Sequence, residues 1–74
     1  MTDLLEDCGT ALYGADWKSP LARALGVTDR TVRRWATGAS PIPATAWGDI
    51  AALVADRRSD LATLRDRIAA TSGG

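Results

Sequence analysis

The side chains that could do chemistry are few and concentrated in one stretch. Lys18, Arg23, Arg30, Arg33 and Arg34 fall within residues 17–38 against Asp29 alone, a net charge of +4. Residues 1–16 carry Asp3, Glu6, Asp7 and Asp16 with no Lys or Arg, and in residues 39–74 four arginines cancel four aspartates. A formal net charge of 0 therefore conceals a basic segment in the middle of the chain. That is the distribution expected of a small surface for a polyanion. The catalytic inventory is poor by contrast. With no His and with Cys8 as the single cysteine, these residues offer no zinc-ligand cluster, no internal disulfide and no nucleophile–base pair. The expectation is a protein that is not an enzyme and uses no cofactor and no metal.

The elements that must position the basic side chains read as helices throughout. Leu4, Leu5, Cys8, Ala11 and Leu12 recur at helical spacing over residues 3–13, with Thr2 or Asp3 as N-cap, Gly14 as the stop and Gly9 as an irregularity. Ser19-Pro20 supplies an N-cap and a proline at the first helical position of a short second helix that ends at Gly26. Val27-Thr28-Asp29 turns into a third helix, with Val32, Trp35 and Ala36 on its apolar stripe and Gly38 at its end. Ala39-Ser40-Pro41-Ile42-Pro43 is a loop, since each proline holds its predecessor extended, and Ile42 pins it. Trp47, Ile50, Ala51 and Val54 mark a fourth helix that stops near Asp56-Arg57-Arg58. Ser59 or Asp60 then caps a fifth helix carrying Leu61, Leu64 and Ile68. Arg57, Arg58, Arg65 and Arg67 alternate with acids and read as surface pairs. Trp35 and Trp47 read as core and Cys8 as a packed thiol; Trp17 fits a lid on that core better than a flat surface beside sugar-phosphate.

Two short helices joined by a tight turn, the second cationic outside, form the pattern of a helix-turn-helix. Ala22 suits the close approach of the helices, Gly26 the turn, and Val27 the angle between them, while Val32 and Trp35 anchor the second helix. Thr28, Asp29, Arg30, Arg33 and Arg34 remain outside as a polar ridge about one major groove long. Asp29 has three open roles: capping its helix, accepting from a cytosine amino group, or orienting Arg33 across one turn.

The sequence Leu21-Ala22-x-x-Leu25-Gly26-Val27-Thr28-x-x-Thr31-Val32-x-x-Trp35-x-x-Gly38, followed by Ile42-Pro43, resembles the Cro and phage-repressor family of regulators. The resemblance spans about residues 4–58 and is densest at 17–43. It implies a compact, all-α, five-helix, lambda-repressor-like domain that binds a palindromic operator in double-stranded DNA as a homodimer. Asp29, Arg30 and Arg34 fall where that family reads bases, and Thr28 and Arg33 share the ridge. Lys18 falls where the family grips phosphate, with Ser19, Arg23 and Thr31 nearby and Thr37 and Ser40 at a second phosphate contact. Lys18-Ser19-Pro20 replaces the glutamine common at the start of the second helix, which alters the hydrogen bonding there.

Seventy-four residues fit a single domain, residues 1–71 with the motif at 19–38, followed by a flexible tail at 72–74. Fourteen alanines leave 15 Leu, Ile, Val or Met, three Trp and one Tyr for the core. The longest apolar run, from Ile50 to Ala55, is too short for a membrane span, and an acidic beginning does not resemble a signal peptide. A cytoplasmic protein, bacterial or phage-encoded and nucleoid-associated when bound, is expected. Leu61, Leu64 and Ile68 are the expected dimer interface. The function expected is transcriptional repression; the alternative is an antitoxin-like adaptor whose main role is to bind a protein partner.

Overall fold

The computed structural model describes residues 3–72, which form four helices and, among the described residues, no strand: α1 (Asp3–Tyr13), α2 (Lys18–Leu25), α3 (Asp29–Thr37) and α4 (Ala44–Ser72). The all-α class expected from the periodicity holds, but the fourth and fifth helices are one helix of 29 residues. The charged cluster at 56–60 contains neither Gly nor Pro, and its residues cost only tenths of a kcal/mol each inside a helix, up to about 0.7. Ser59 and Asp60 are therefore interior positions and not caps. The Ser59 carbonyl accepts a hydrogen bond from Thr63 Oγ1 at 3.1 Å. Thr71 and Ser72 are likewise helical, their hydroxyls donating to the carbonyls of Arg67 and Ile68 at 3.0 and 2.8 Å. Gly73 and Gly74, the rest of the expected tail, lie outside the described residues, as does Thr2. Asp3, the other expected cap of α1, is that helix's first residue.

The second helix begins earlier than expected. Lys18, not Pro20, is its first residue, and the position before it is Trp17, whose backbone is already near-helical (φ −77°, ψ −19°) and makes no side-chain cap. Proline is tolerated there because all of the first four N–H groups of a helix lack an internal acceptor, so the missing donor of Pro20 costs nothing at the third position either. The stops are as expected. Gly26 and Gly38 adopt the left-handed conformation (φ 73° and 81°) that ends α2 and α3.

The core gathers Leu5 from α1, Leu21 and Ala22 from α2, Val32 and Trp35 from α3, and Ala46 and Ile50 from α4. Trp17 is 5% exposed and belongs to this core. Its indole lies on α1 at Gly9: a Cβ there would sit 2.7 Å from Trp17 Cγ and closer still to Cδ2 and Cε3. Gly9 thus leaves α1 regular and makes room for a neighbouring ring. Leu4, placed on the buried stripe by spacing, is 61% exposed, because the inward face of α1 runs through Leu5, Cys8 and Leu12 instead.

The domain is not compact at its C-terminal end. Its radius of gyration is 14.9 Å, with extents of 52 × 22 × 21 Å, where a compact chain of this length would have a radius of about 11 Å. The excess comes from α4: a 29-residue helix is about 43 Å long, and beyond Leu53 almost all of its residues are exposed.

Candidate nucleic-acid interface

The turn between α2 and α3 is held by backbone and side-chain bonds that leave little freedom. Past Gly26, Val27 N–H donates to the Ala22 carbonyl at 3.0 Å. Ala22 itself is fully buried beneath the crossing of the two helices. Thr28, extended at φ −82° and ψ 156°, caps α3: its Oγ1 accepts from the Thr31 N–H at 3.2 Å and shares a hydrogen bond with Thr31 Oγ1 at 2.9 Å. Thr28 and Thr31, singled out for base and phosphate contacts, thus both serve the start of the helix.

Asp29 takes up neither of the two roles within the chain that were open in the sequence. Its Oδ2 accepts a hydrogen bond from Ser19 Oγ at 2.6 Å, joining the beginnings of α2 and α3. The cap is Thr28, and the single ion pair among the described residues is Arg65–Asp66 at 3.7 Å, so Asp29 does not pair with Arg33. That same fact corrects the reading of Arg57, Arg58 and Arg67 as surface pairs. Ser19 is spent on Asp29.

The exposed arginines of α3 divide into two groups. Successive residues advance about 100° around a helix, so with Val32 and Trp35 directed inward, Arg30, Arg34 and Thr37 occupy the side farthest from the core. Arg33 and Asp29 lie on the flank toward α2. Arg33 accordingly lines a polar cleft of about 220 Å³ with Asp16, Lys18 and Ser19. The Lys18 ammonium also stands 5.8 Å from the centre of the Trp17 ring, at the outer limit of a cation–π contact. At the other end, Arg34 Nε donates to Ser40 Oγ at 2.9 Å, and the Ser40 N–H donates to the Arg34 carbonyl at 3.3 Å. Thr37 Oγ1 donates to that carbonyl at 3.2 Å. The Arg34 guanidinium is therefore anchored through Nε with its two terminal nitrogens free to form a fork.

The chain matches no family model, no curated protein and no solved structure. The site thus rests on its own geometry. Of the expected residues, the fold brings Lys18, Ser19, Asp29 and Arg33 to one end of α3, and Arg34, Thr37 and Ser40 to the other, with Arg30 between them on the outer face. Arg23 stands apart as an exposed residue in the last turn of α2. Sequence reasoning missed Asp16 as a wall of the cleft, and missed both bonds that orient the ridge. The Ser19–Asp29 and Arg34–Ser40 pairs span 10 and 6 residues, separations that follow no helical period. Among the described residues no group of three potential ligands could hold a metal, and no helix is long and apolar enough to cross a membrane.

Proposed function

We propose that this chain is a sequence-specific double-stranded DNA-binding regulator of transcription, acting as a homodimeric repressor, with α3 entering the major groove. The observation that carries this reading is the outer face of α3: Arg30, Arg33 and Arg34 are all exposed, and no carboxylate lies within ion-pair distance of them among the described residues. Like charges four apart on a helix cost about 0.2–0.5 kcal/mol, and Arg30 and Arg34 impose that cost on a helix of only nine residues. A polyanion removes the repulsion. The nine residues span about 14 Å, matched to a groove about 12 Å wide.

The two faces of α3 support a division of roles. Arg30 and Arg34 meet base edges, where a bidentate arginine–guanine contact contributes about 1–3 kcal/mol of discrimination. Lys18 and Arg33, across the cleft beside α2, hold backbone phosphate. One such motif reads only a few base pairs, so specificity requires two half-sites and two copies of the chain. Leu61, Leu64 and Ile68, all exposed on α4, are the surface through which they pair.

Titration of the protein and of Arg34→Ala against DNA upstream of its own gene and against a scrambled duplex tests the proposal. Arg34→Ala is expected to lose about tenfold or more on the operator and little on the scrambled sequence. Absence of any preference by the wild-type protein for either duplex would refute sequence-specific binding.

A further inference from the structure

Beyond the head formed by α1, α2, α3 and the first turns of α4, the last helix continues as a tail whose charges are sorted across it. At about 100° per residue, Arg58 and Arg65 lie about 60–80° round from Ile50, while Asp49, Asp56 and Asp60 lie about 80–120° round in the other direction. Among the described residues no carboxylate pairs with Arg58, and Arg65 reaches only its exposed neighbour Asp66 at 3.7 Å. The basic flank is also partly apolar. It adjoins a groove of about 510 Å³ in the angle where α1 ends, lined by Leu12, Val54, Leu61 and Ala62 with Arg58 and Arg65 beside them. A second hollow shares Val54, Arg58 and Ala62 with the groove and adds Ala51 and Ala55, extending the surface along α4.

These residues recur in register. Val54-Ala55 and Leu61-Ala62 are seven residues apart, and Arg58 and Arg65 follow the two pairs at the same distance. Ala51, Ala55, Arg58, Ala62 and Arg65 therefore form one line at alternating steps of four and three, the spacing of a coiled-coil seam. The line is about 21 Å long. We propose that it docks an acidic amphipathic helix of another protein, with bulky apolar side chains set over Ala55 and Ala62 and a carboxylate opposite each of Arg58 and Arg65. The seam lies to the side of the face that carries the head through Ala46 and Ile50. Ala51, Ala55 and Arg58 are all exposed, so the incoming helix does not compete with the head for space. The inference is independent of the DNA reading.

Charge and shape select this occupant. A second copy laid on the same seam in register sets Arg58 against Arg58 or against Arg65, according to its direction, and is repelled. A phosphate backbone satisfies the arginines but leaves the apolar groove uncovered. A flat bilayer cannot enter a groove closed on one side by Ala11 and Leu12. An acidic amphipathic helix meets both requirements. Its rise matches that of α4, so two carboxylates one heptad apart, about 10 Å, face the two arginines while the residues between them cover the alanines. Helices dock into grooves through anchors at this kind of spacing, and the small side chains of Ala51, Ala55 and Ala62 permit a close approach of the two axes.

The probe is a synthetic three-heptad helical peptide with leucine and glutamate by turns along one face, and the control has lysine in place of each glutamate. Calorimetric titration into the full chain should show the glutamate peptide binding once per chain and the lysine peptide binding more weakly by on the order of tenfold. Arg58→Glu/Arg65→Glu, at two exposed positions, should reverse that preference. Ala55→Gln/Ala62→Gln should weaken the glutamate peptide by on the order of tenfold, because the apolar floor is lost. No binding of the glutamate peptide, equal binding of both peptides, or a preference unmoved by the charge reversal overturns the proposal. Binding of phosphatidylglycerol vesicles or of a scrambled duplex, abolished by the same reversal and with no peptide bound, assigns the flank to lipid or nucleic acid and also overturns it. Self-association of the chain that the reversal abolishes makes the occupant a second copy, with the same consequence. Operator titrations of the wild-type chain report on the DNA reading separately.

Discussion

Two glycines inside helices should respond to the same substitution with opposite signs. At Gly48 a Cβ would meet nothing within 4 Å, so Gly48→Ala gains only helix propensity, about 0.8–1.0 kcal/mol. For a domain of this size that raises Tm by about 4–8 °C. At Gly9 the same propensity gain is opposed by the Trp17 indole, which a Cβ would approach at three ring atoms, 2.7 Å being the longest of the contacts. The ring cannot swing away, because Trp17 is 5% exposed and the clash extends back to Cγ, where the ring joins its side chain. Overpacking costs about 1–3 kcal/mol, and with so little freedom the upper end applies. The net loss for Gly9→Ala is then about 2 kcal/mol, or about 8–16 °C in Tm. Thermal melting followed by far-ultraviolet circular dichroism measures both variants. In a Gly48→Ala background, which offsets part of the loss of the indole, Trp17→Leu should turn Gly9→Ala neutral or stabilising. If Gly9→Ala alone raised Tm as much as Gly48→Ala does, the packing of Trp17 on α1 would be wrong.

Other predictions concern the site. Ser40→Ala frees the Arg34 guanidinium from its Nε anchor, and should lower operator preference by about two- to tenfold, the equivalent of one hydrogen bond, with unchanged binding to scrambled DNA; competition titrations check it. Lys18→Ala and Arg33→Ala should each weaken binding to both duplexes alike and flatten the salt dependence by about one phosphate per subunit, read from titrations at several salt concentrations. Leu64→Asp should leave a folded chain, since that side chain is 47% exposed, but one that sediments as a monomer and binds a two-site duplex without cooperativity.

What was legible in the sequence depended on whether the cause was local. Gly14, Gly26 and Gly38 were read as helix ends, and all three have positive φ, because a left-handed terminus leaves its mark in one residue. The burial of Ala22, Val32 and Trp35 likewise follows from spacing within single helices. The false break at 56–60 came from reading a charged cluster as punctuation, although only Gly or Pro would have made it costly to continue the helix. Gly9 looked like a flaw because its reason, the ring of Trp17, lies in another element. The Ser19–Asp29 and Arg34–Ser40 bonds were invisible on the same ground. They depend on how the α2–α3 crossing and the return of the loop bring distant hydroxyls and charges together, and no local pattern encodes that.

The continuity of α4 turns the relation between head and tail into a matter of counting. Each residue inserted between Ile50 and Leu61 rotates the exposed stripe by about 100° and advances it by about 1.5 Å relative to the head. Two inserted residues would carry Leu61, Leu64 and Ile68 to roughly the opposite side. Seven would bring them back within about 20° while lengthening the rod by about 10 Å. For the proposed dimer, length variation in this segment is therefore expected to be tolerable only in whole heptads. On the proposed function, any other change would aim the two heads at differently phased half-sites, altering which operator spacing the proposed pair could span without touching a residue of the proposed interface.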